Sequence, residues 1–370
     1  MISRTHALVI AFFITTLSFP VIYLVKGYVS DPLNLFNRSR EVYQDLNKDD
    51  RVRAALIARN GSYNSVILGS SMLKRINENI LSDSNYKYVN ISTSGSTIHE
   101  RLSYLKSIFS KKKLRSVVFS MDHGLSLHRR DYPVNTDSSN WMYLFDQSTL
   151  NDLKIYVEDT YFTCIAATPF FPCNLRRLPA QNSDSRYQDR QVFDQKISGI
   201  DGWRSEGGRW RPIKSRARRI INNTPFVKQD STNYIADLRH LKTLANENRK
   251  TDFVLVVPPY SMLYLKLMYT HNDKMFSEYR EFVSNIYEIF NGSPNVRLLY
   301  LDGHSSTGNL KNYIDMRHYI GEVIDILVSD IKSDVNHLKS NFSLRFTKVE
   351  AALENYDDSS FFTNYEEKMD

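Results

Sequence analysis

Five short, largely apolar runs constrain this chain more than any other feature: Ser65 to Leu68, Tyr88 to Ile91, Ser116 to Met121, Phe253 to Val257 and Val296 to Leu301. A strand that faces water on one side alternates polar and apolar residues, whereas continuous apolar runs of this length belong to strands buried on both faces. Stretches of helical spacing lie between them, as in Ile235, Leu238, Leu241 and Leu244 within Thr232 to Asn248. Ile98 to Ser110, Lys274 to Phe290 and Glu322 to Lys332 read the same way. Strands alternating with helices predict an α/β fold with a parallel sheet and helices on both faces.

Open sheets of this kind place their chemistry beyond the carboxyl ends of the strands. The first run ends there in Gly69-Ser70-Ser71, which makes Ser71 the candidate nucleophile. A serine hydroxyl needs a base to take its proton and N–H groups to hold the oxyanion that forms after attack. Asp315 and His318 stand three apart in Asn312-Tyr313-Ile314-Asp315-Met316-Arg317-His318-Tyr319, where one turn can present both as orienter and base. The second run ends in Ser92-Thr93-Ser94-Gly95-Ser96-Thr97 before a helix. A glycine there lets a backbone N–H approach a substrate oxygen, so the N–H groups of Ser71 and Gly95 are the expected oxyanion donors; an ordinary strand-to-helix turn would also use that glycine. Asp122 and His123 close the third run as candidate substrate contacts, and His123 is the rival to His318 as base. Tyr260, after Pro258-Pro259, is the third candidate contact; a core aromatic is the alternative.

The Gly69-Ser70-Ser71 turn, the Asn90 to Ser96 segment and Asp315-x-x-His318 occur in the order of three blocks of the SGNH (GDSL-like) hydrolases. Over roughly residues 60–125 and 250–330 the chain resembles the membrane-anchored bacterial members associated with acylation of cell-surface glycans. The resemblance implies a three-layer sandwich, a Ser71, His318 and Asp315 triad, and no metal or organic cofactor. One block departs. The family's asparagine, a side-chain oxyanion donor, would fall near Ser120-Met121-Asp122-His123-Gly124, and no asparagine stands there.

The amino terminus reads as a membrane segment. The uncharged run from Ala7 to Val25 is closed by Lys26 and would span about 28 Å as a helix, close to the ~30 Å of a bilayer's hydrocarbon core. A cleaved signal peptide is the competing reading, but the run is long for one and no small-x-small site precedes Lys26. An uncleaved anchor over 1–26 is therefore expected, with membrane lipid as a partner. The resemblance and the cysteines place the remaining chain on the extracytoplasmic side of the inner membrane. Cys164 and Cys173, with two prolines between them, are compatible with one disulfide; two buried thiols are the alternative.

A connector is expected over 27–60, a hydrolase-like domain over 61–332 and a polar tail over 333–370. Between Arg129 and Asn233 the strand–helix rhythm fails and Pro, Asn, Ser, Asp and Gly recur, which predicts an inserted lid or subdomain at 129–233. The net charge of +7 suits anionic lipid or an acidic glycan, and no nucleic-acid motif accompanies it. Trp203, Trp210 and the arginines around them suit a sugar, or else simply anchor a packed loop. The expected function is a membrane-anchored serine esterase or O-acyltransferase acting on acyl esters, acetyl foremost, of envelope or surface polysaccharide. Its partners would be an acylated glycan or acyl donor and other envelope glycan proteins. The alternative from another class is an inactive SGNH-fold binding or assembly component of an envelope glycan machinery.

Overall fold

The five apolar runs form one sheet from β1 (Ser65–Leu68), β2 (Tyr88–Asn90), β3 (Ser116–Ser120), β4 (Asp252–Val257) and β5 (Val296–Tyr300). Their order is β2-β1-β3-β4-β5 and every neighbouring pair is parallel. Register is set by apolar pairs such as Ile67 with Val118 and Val118 with Val254. Every residue of β1 and β3 is buried, which is why these runs carry no polar alternation. Chain order reverses between β1 and β3, because β1 leads outward to β2 while β3 leads the other way to β4. Loops leaving such a reversal diverge and open a crevice at the carboxyl edge.

This computed structural model describes residues 4–30, 50–123, 142–145, 148, 150–157, 194–205, 208–223, 231–339 and 341–366. They belong to two units, Met1–Gly61 with Asp137–Ala180, and Ser62–Thr136 with Gln181–Asp370. In the first unit, the helix Arg4–Ser30 contains Phe12–Val29, a span long and apolar enough to cross a membrane. That span reaches past Lys26, where the sequence reading closed the segment. The Tyr23 hydroxyl donates to the Tyr156 carbonyl, and Arg59, on the helix Asp50–Asn60, pairs with the buried Asp152 at 2.6 Å.

The second unit holds the sheet. The helix Ser231–Glu247 packs on both Ile98–Phe109 and Asp273–Phe290, and Glu78–Leu81 packs on Glu322–Lys332. Three expectations change here. The stretch expected as one insertion is divided, with Asp137–Ala180 in the first unit and its two flanks, up to Thr136 and from Gln181, in the second. The latter supplies two helices the sequence reading did not draw, Gly199–Arg204 and Trp210–Ile221. Trp203 is fully buried, donating from Nε1 to the Tyr313 carbonyl at 2.9 Å, so it anchors packing and offers no face to a sugar. The expected polar tail is part of the core: the helix Phe342–Glu354 buries Phe346, Val349 and Leu353, and Phe361 is buried beyond it. Those apolar positions recur at helical spacing among polar neighbours, and composition alone conceals them. Cys164 and Cys173 lie outside the described residues.

Candidate active site

Ser71 follows β1 by three residues and owes its position to a tight, glycine-dependent turn. A Cβ on Gly69 would stand 2.6 Å from the Leu73 Cβ and 3.0 Å from the Ser92 Oγ, so no larger residue fits where the chain folds back. The Asn90 side chain secures the far end of the turn by donating to the Leu73 and Ile76 carbonyls at 3.0 and 2.9 Å. Ser71 itself is half-buried.

The segment after β5 brings the other two residues. Asn312 to Ile320 doubles back on itself through Ile314 N–H to the His318 carbonyl at 3.0 Å and Ile320 N–H to the Asn312 carbonyl at 2.7 Å. Its outer side is tied to the end of β4: the Tyr313 hydroxyl donates to the Pro259 carbonyl, and the Ser261 Oγ to the Met316 carbonyl. Within the turn, Asp315 Oδ1 accepts the N–H groups of Arg317 at 2.8 Å and His318 at 2.9 Å. That leaves Oδ2 for the His318 Nδ1, 2.8 Å away. The opposite ring nitrogen, Nε2, lies 2.9 Å from the Ser71 Oγ.

Hydroxyl, imidazole and carboxylate thus form one hydrogen-bonded chain across 247 residues of sequence. Asp315 is buried, which opposes ionisation, yet the His318 ring beside it, Arg216 and the backbone donors hold its carboxyl well below the usual carboxylate range. A permanently ionised carboxylate on Nδ1 keeps the proton there and leaves Nε2 free to accept from Ser71, the arrangement a nucleophilic serine requires.

Gly95 has φ 71°, a left-handed conformation that an L side chain resists. Its loop is bound to the nucleophile's turn: the Thr93 N–H and the Ser96 Oγ both donate to the Gly69 carbonyl, at 2.9 and 3.1 Å. Among the described residues neither the Ser71 N–H nor the Gly95 N–H donates to another group. Two free N–H groups on adjoining loops are what an oxyanion site is made from.

The other sequence candidates sit elsewhere. Asp122 does not face a substrate; it lies buried, accepting from the Ser70 Oγ at 2.6 Å and the Ser120 Oγ at 2.8 Å, with Arg101 at 3.1 Å. Arg101, fully buried, also donates to the Ser96 carbonyl at 2.7 Å and the Ser120 carbonyl at 3.0 Å. The Ser70 Oγ accepts the Met72 N–H at 3.1 Å. Ser70, Asp122, Arg101 and Ser96 therefore join the two N–H-bearing loops beneath the site.

His123 is sealed in the core, edge-on to Tyr279 at 5.2 Å, and burial pulls its ring down to about 3. It is neither the rival base nor a contact, because no proton route or partner reaches its Nε2 among the described residues. Tyr260 is also buried, packed on Tyr264 at 5.2 Å, with its hydroxyl raised far above its ordinary value by that burial.

Sequence reasoning missed Ser70 and Arg101. Arg101 did leave a signal, since it occupies an inward position beside Leu102, Leu105 and Ile108 on an otherwise apolar helix face. It also missed three guanidinium groups around Asp315: Arg209, 3.4 Å from Oδ2, Arg216 on the helix Trp210–Ile221, and Arg317 within the turn. No family model matches the chain, and no curated protein matches it.

Proposed function

We propose that this protein is a membrane-anchored serine esterase or O-acyltransferase of SGNH type, with a three-layer α/β domain outside the inner membrane. The observation that carries the reading is the Ser71 Oγ to His318 Nε2 to Asp315 Oδ2 chain at 2.9 and 2.8 Å, opening beside two free N–H groups. In the first half-reaction the Ser71 oxygen bonds to the carbonyl carbon of an acyl ester while its proton passes to His318 Nε2. The N–H groups of Ser71 and Gly95 hold the oxyanion. The carbon–oxygen bond to the alcohol then breaks, and the alcohol departs with the proton from His318. In the second half-reaction water, or a glycan hydroxyl, gives its proton to His318 and bonds to the acyl carbon; the bond from that carbon to the Ser71 oxygen then breaks, and His318 returns the proton to Ser71. The first acceptor makes an esterase and the second an acyltransferase. Acyl esters of envelope polysaccharide are the proposed substrates, on the resemblance of the three sequence blocks.

A second reading, an inactive binding or assembly component, is favoured by one feature. Asp122 occupies the end of β3, where an asparagine would donate, and its carboxylate is consumed by Ser70, Ser120 and Arg101. A fluorophosphonate probe separates the two. It should label the full-length protein stoichiometrically and leave Ser71→Ala unlabelled; a wild-type protein that resists the probe would remove the enzyme reading and leave the binding one.

A further inference from the structure

Ser71 and His318 sit on separate turns, and the bonds inside each turn fix its shape but not the gap to the other. A proton passes from hydroxyl to imidazole only across a hydrogen bond, here 2.9 Å long. One segment, from Asp194 to Ser205, touches both turns, and it lies in the inserted stretch outside the two regions of family resemblance. At one end Arg75, four residues after Ser71, donates from Nε to Asp194 Oδ2 at 2.7 Å and from Nη2 to Oδ1 at 3.4 Å. Both side chains are buried, 9% and 5% exposed. Arg75 stands between Leu73 and Ile76, whose carbonyls the Asn90 side chain holds, so the turn that carries Ser71 moves with Arg75. At the other end the Gly199 N–H and the Trp203 Nε1 both donate to the Tyr313 carbonyl, at 3.0 and 2.9 Å. Tyr313 precedes Asp315 by two residues, and Ile197, between the two ends, packs with Ile314 and Ile320 of the same turn.

A guanidinium that meets a carboxylate through two donors is directional as well as charged. Sealed from water, such a pair adds little net stability over apolar side chains of similar size. Stability therefore gives no reason to keep it here, whereas a fixed direction from Arg75 to Asp194 does what apolar packing cannot. It sets the position of one turn against a segment that is itself tied to the other. Trp203 is fully buried, which holds the far end still.

We infer that the Asp194 to Ser205 segment is a clamp that sets the distance from Ser71 to His318, with Arg75 and Asp194 as positioning residues for the proton transfer. The inference rests on the esterase or acyltransferase reading for the reaction it serves, but not for the geometry it fixes.

The test uses full-length protein in non-ionic detergent. Arg75→Met combined with Asp194→Leu removes both charges and fills the space, so its melting temperature should stay within a few degrees of wild type or rise. Its kcat with 4-nitrophenyl acetate should nevertheless fall about 10- to 100-fold, the scale of a misplacement of up to about 1 Å. KM should hold, because acylation and deacylation both depend on the same histidine. Nitrogen NMR of histidine-labelled protein reads the geometry without turnover. Nε2 of His318 accepts from Ser71, so Ser71→Ala shifts its resonance, and the double variant should shift it the same way. If the double variant fails to fold, Arg75→Lys decides: it keeps the charge, loses the two-donor fork, and should still lower kcat and move the resonance. The resonance is the deciding readout. A folded variant whose Nε2 resonance matches wild type would overturn the clamp, whatever its rate, and leave the enzyme reading standing. A shifted resonance in a protein whose wild type neither hydrolyses esters nor takes a fluorophosphonate would do the reverse.

Discussion

Asp315→Asn exchanges one oxygen for an amide nitrogen in the middle of the hydrogen-bonded chain, and the structure says which bonds survive. The amide oxygen can still accept the N–H groups of Arg317 and His318, which Oδ1 now takes at 2.8 and 2.9 Å, so the turn keeps its shape. The amide nitrogen then faces His318 Nδ1, where Oδ2 stood at 2.8 Å. Because that nitrogen donates, Nδ1 must accept, and the ring carries its proton on Nε2. At 2.9 Å from the Ser71 Oγ, Nε2 now offers a proton instead of taking one. The same tautomer error in serine proteases lowers kcat by about 10⁴, equivalent to about 5.5 kcal/mol of barrier. Folding should lose far less, about 1–3 kcal/mol, for one charge-assisted hydrogen bond exchanged for a neutral one. Turnover of 4-nitrophenyl acetate and thermal unfolding by circular dichroism, measured on one preparation, separate the two effects. A variant that melts within a few degrees of wild type and turns over less than about tenfold slower would refute the assignment of Asp315 as orienter.

The remaining predictions concern groups around the site. Asp122→Ala leaves Ser70, Ser120 and the fully buried Arg101 without their shared acceptor, so denaturant unfolding should show a loss of about 3–5 kcal/mol, as for other broken buried pairs. Burial pulls His123 down to about 3 from an unfolded value of about 6.5. Its folded form resists protonation, so stability should fall as pH drops below about 6.5 and level off near pH 3, by up to roughly 5 kcal/mol; His123→Phe should remove that component. Asp302 has the opposite sign: burial raises its carboxyl to about 7, against the hydrogen bond from Tyr279. The unfolded carboxyl ionises first, so this group's contribution declines as pH rises from about 4 to about 7, by up to roughly 4 kcal/mol. The two windows overlap, so each effect is read as the difference in melting temperature between wild type and variant, with Asp302→Asn for the second. A pH-independent difference in either case would contradict the burial argument.

Much of the sheet was legible in the chain because burial on both faces writes itself as uninterrupted apolar runs, and Val66 to Leu68 or Val117 to Phe119 have no other use. The spacing of Asp315 and His318 was legible for a related reason: three residues within one turn are local geometry, and backbone bonds to Asp315 Oδ1 fix it with little help from the rest of the fold. Ser71 was placed by the glycine before it and by the strand that ends there. The span at the amino terminus was visible too, because a membrane-length apolar helix needs nothing but its own sequence.

The sequence could not show which strand-end polar residues would stay open, since that depends on loops whose paths are set by distant contacts. Asp122 and His123 are adjacent in sequence, yet one supports the nucleophile's turn through Ser70 and the other is sealed against Tyr279 and Phe282. Only the tertiary structure brought Arg209, at the start of a helix that sequence reading left as loop, to the carboxylate of Asp315 a hundred residues later. Charge is summed over space, not over sequence. The grouping of guanidinium groups around one carboxylate exists only after the chain has folded.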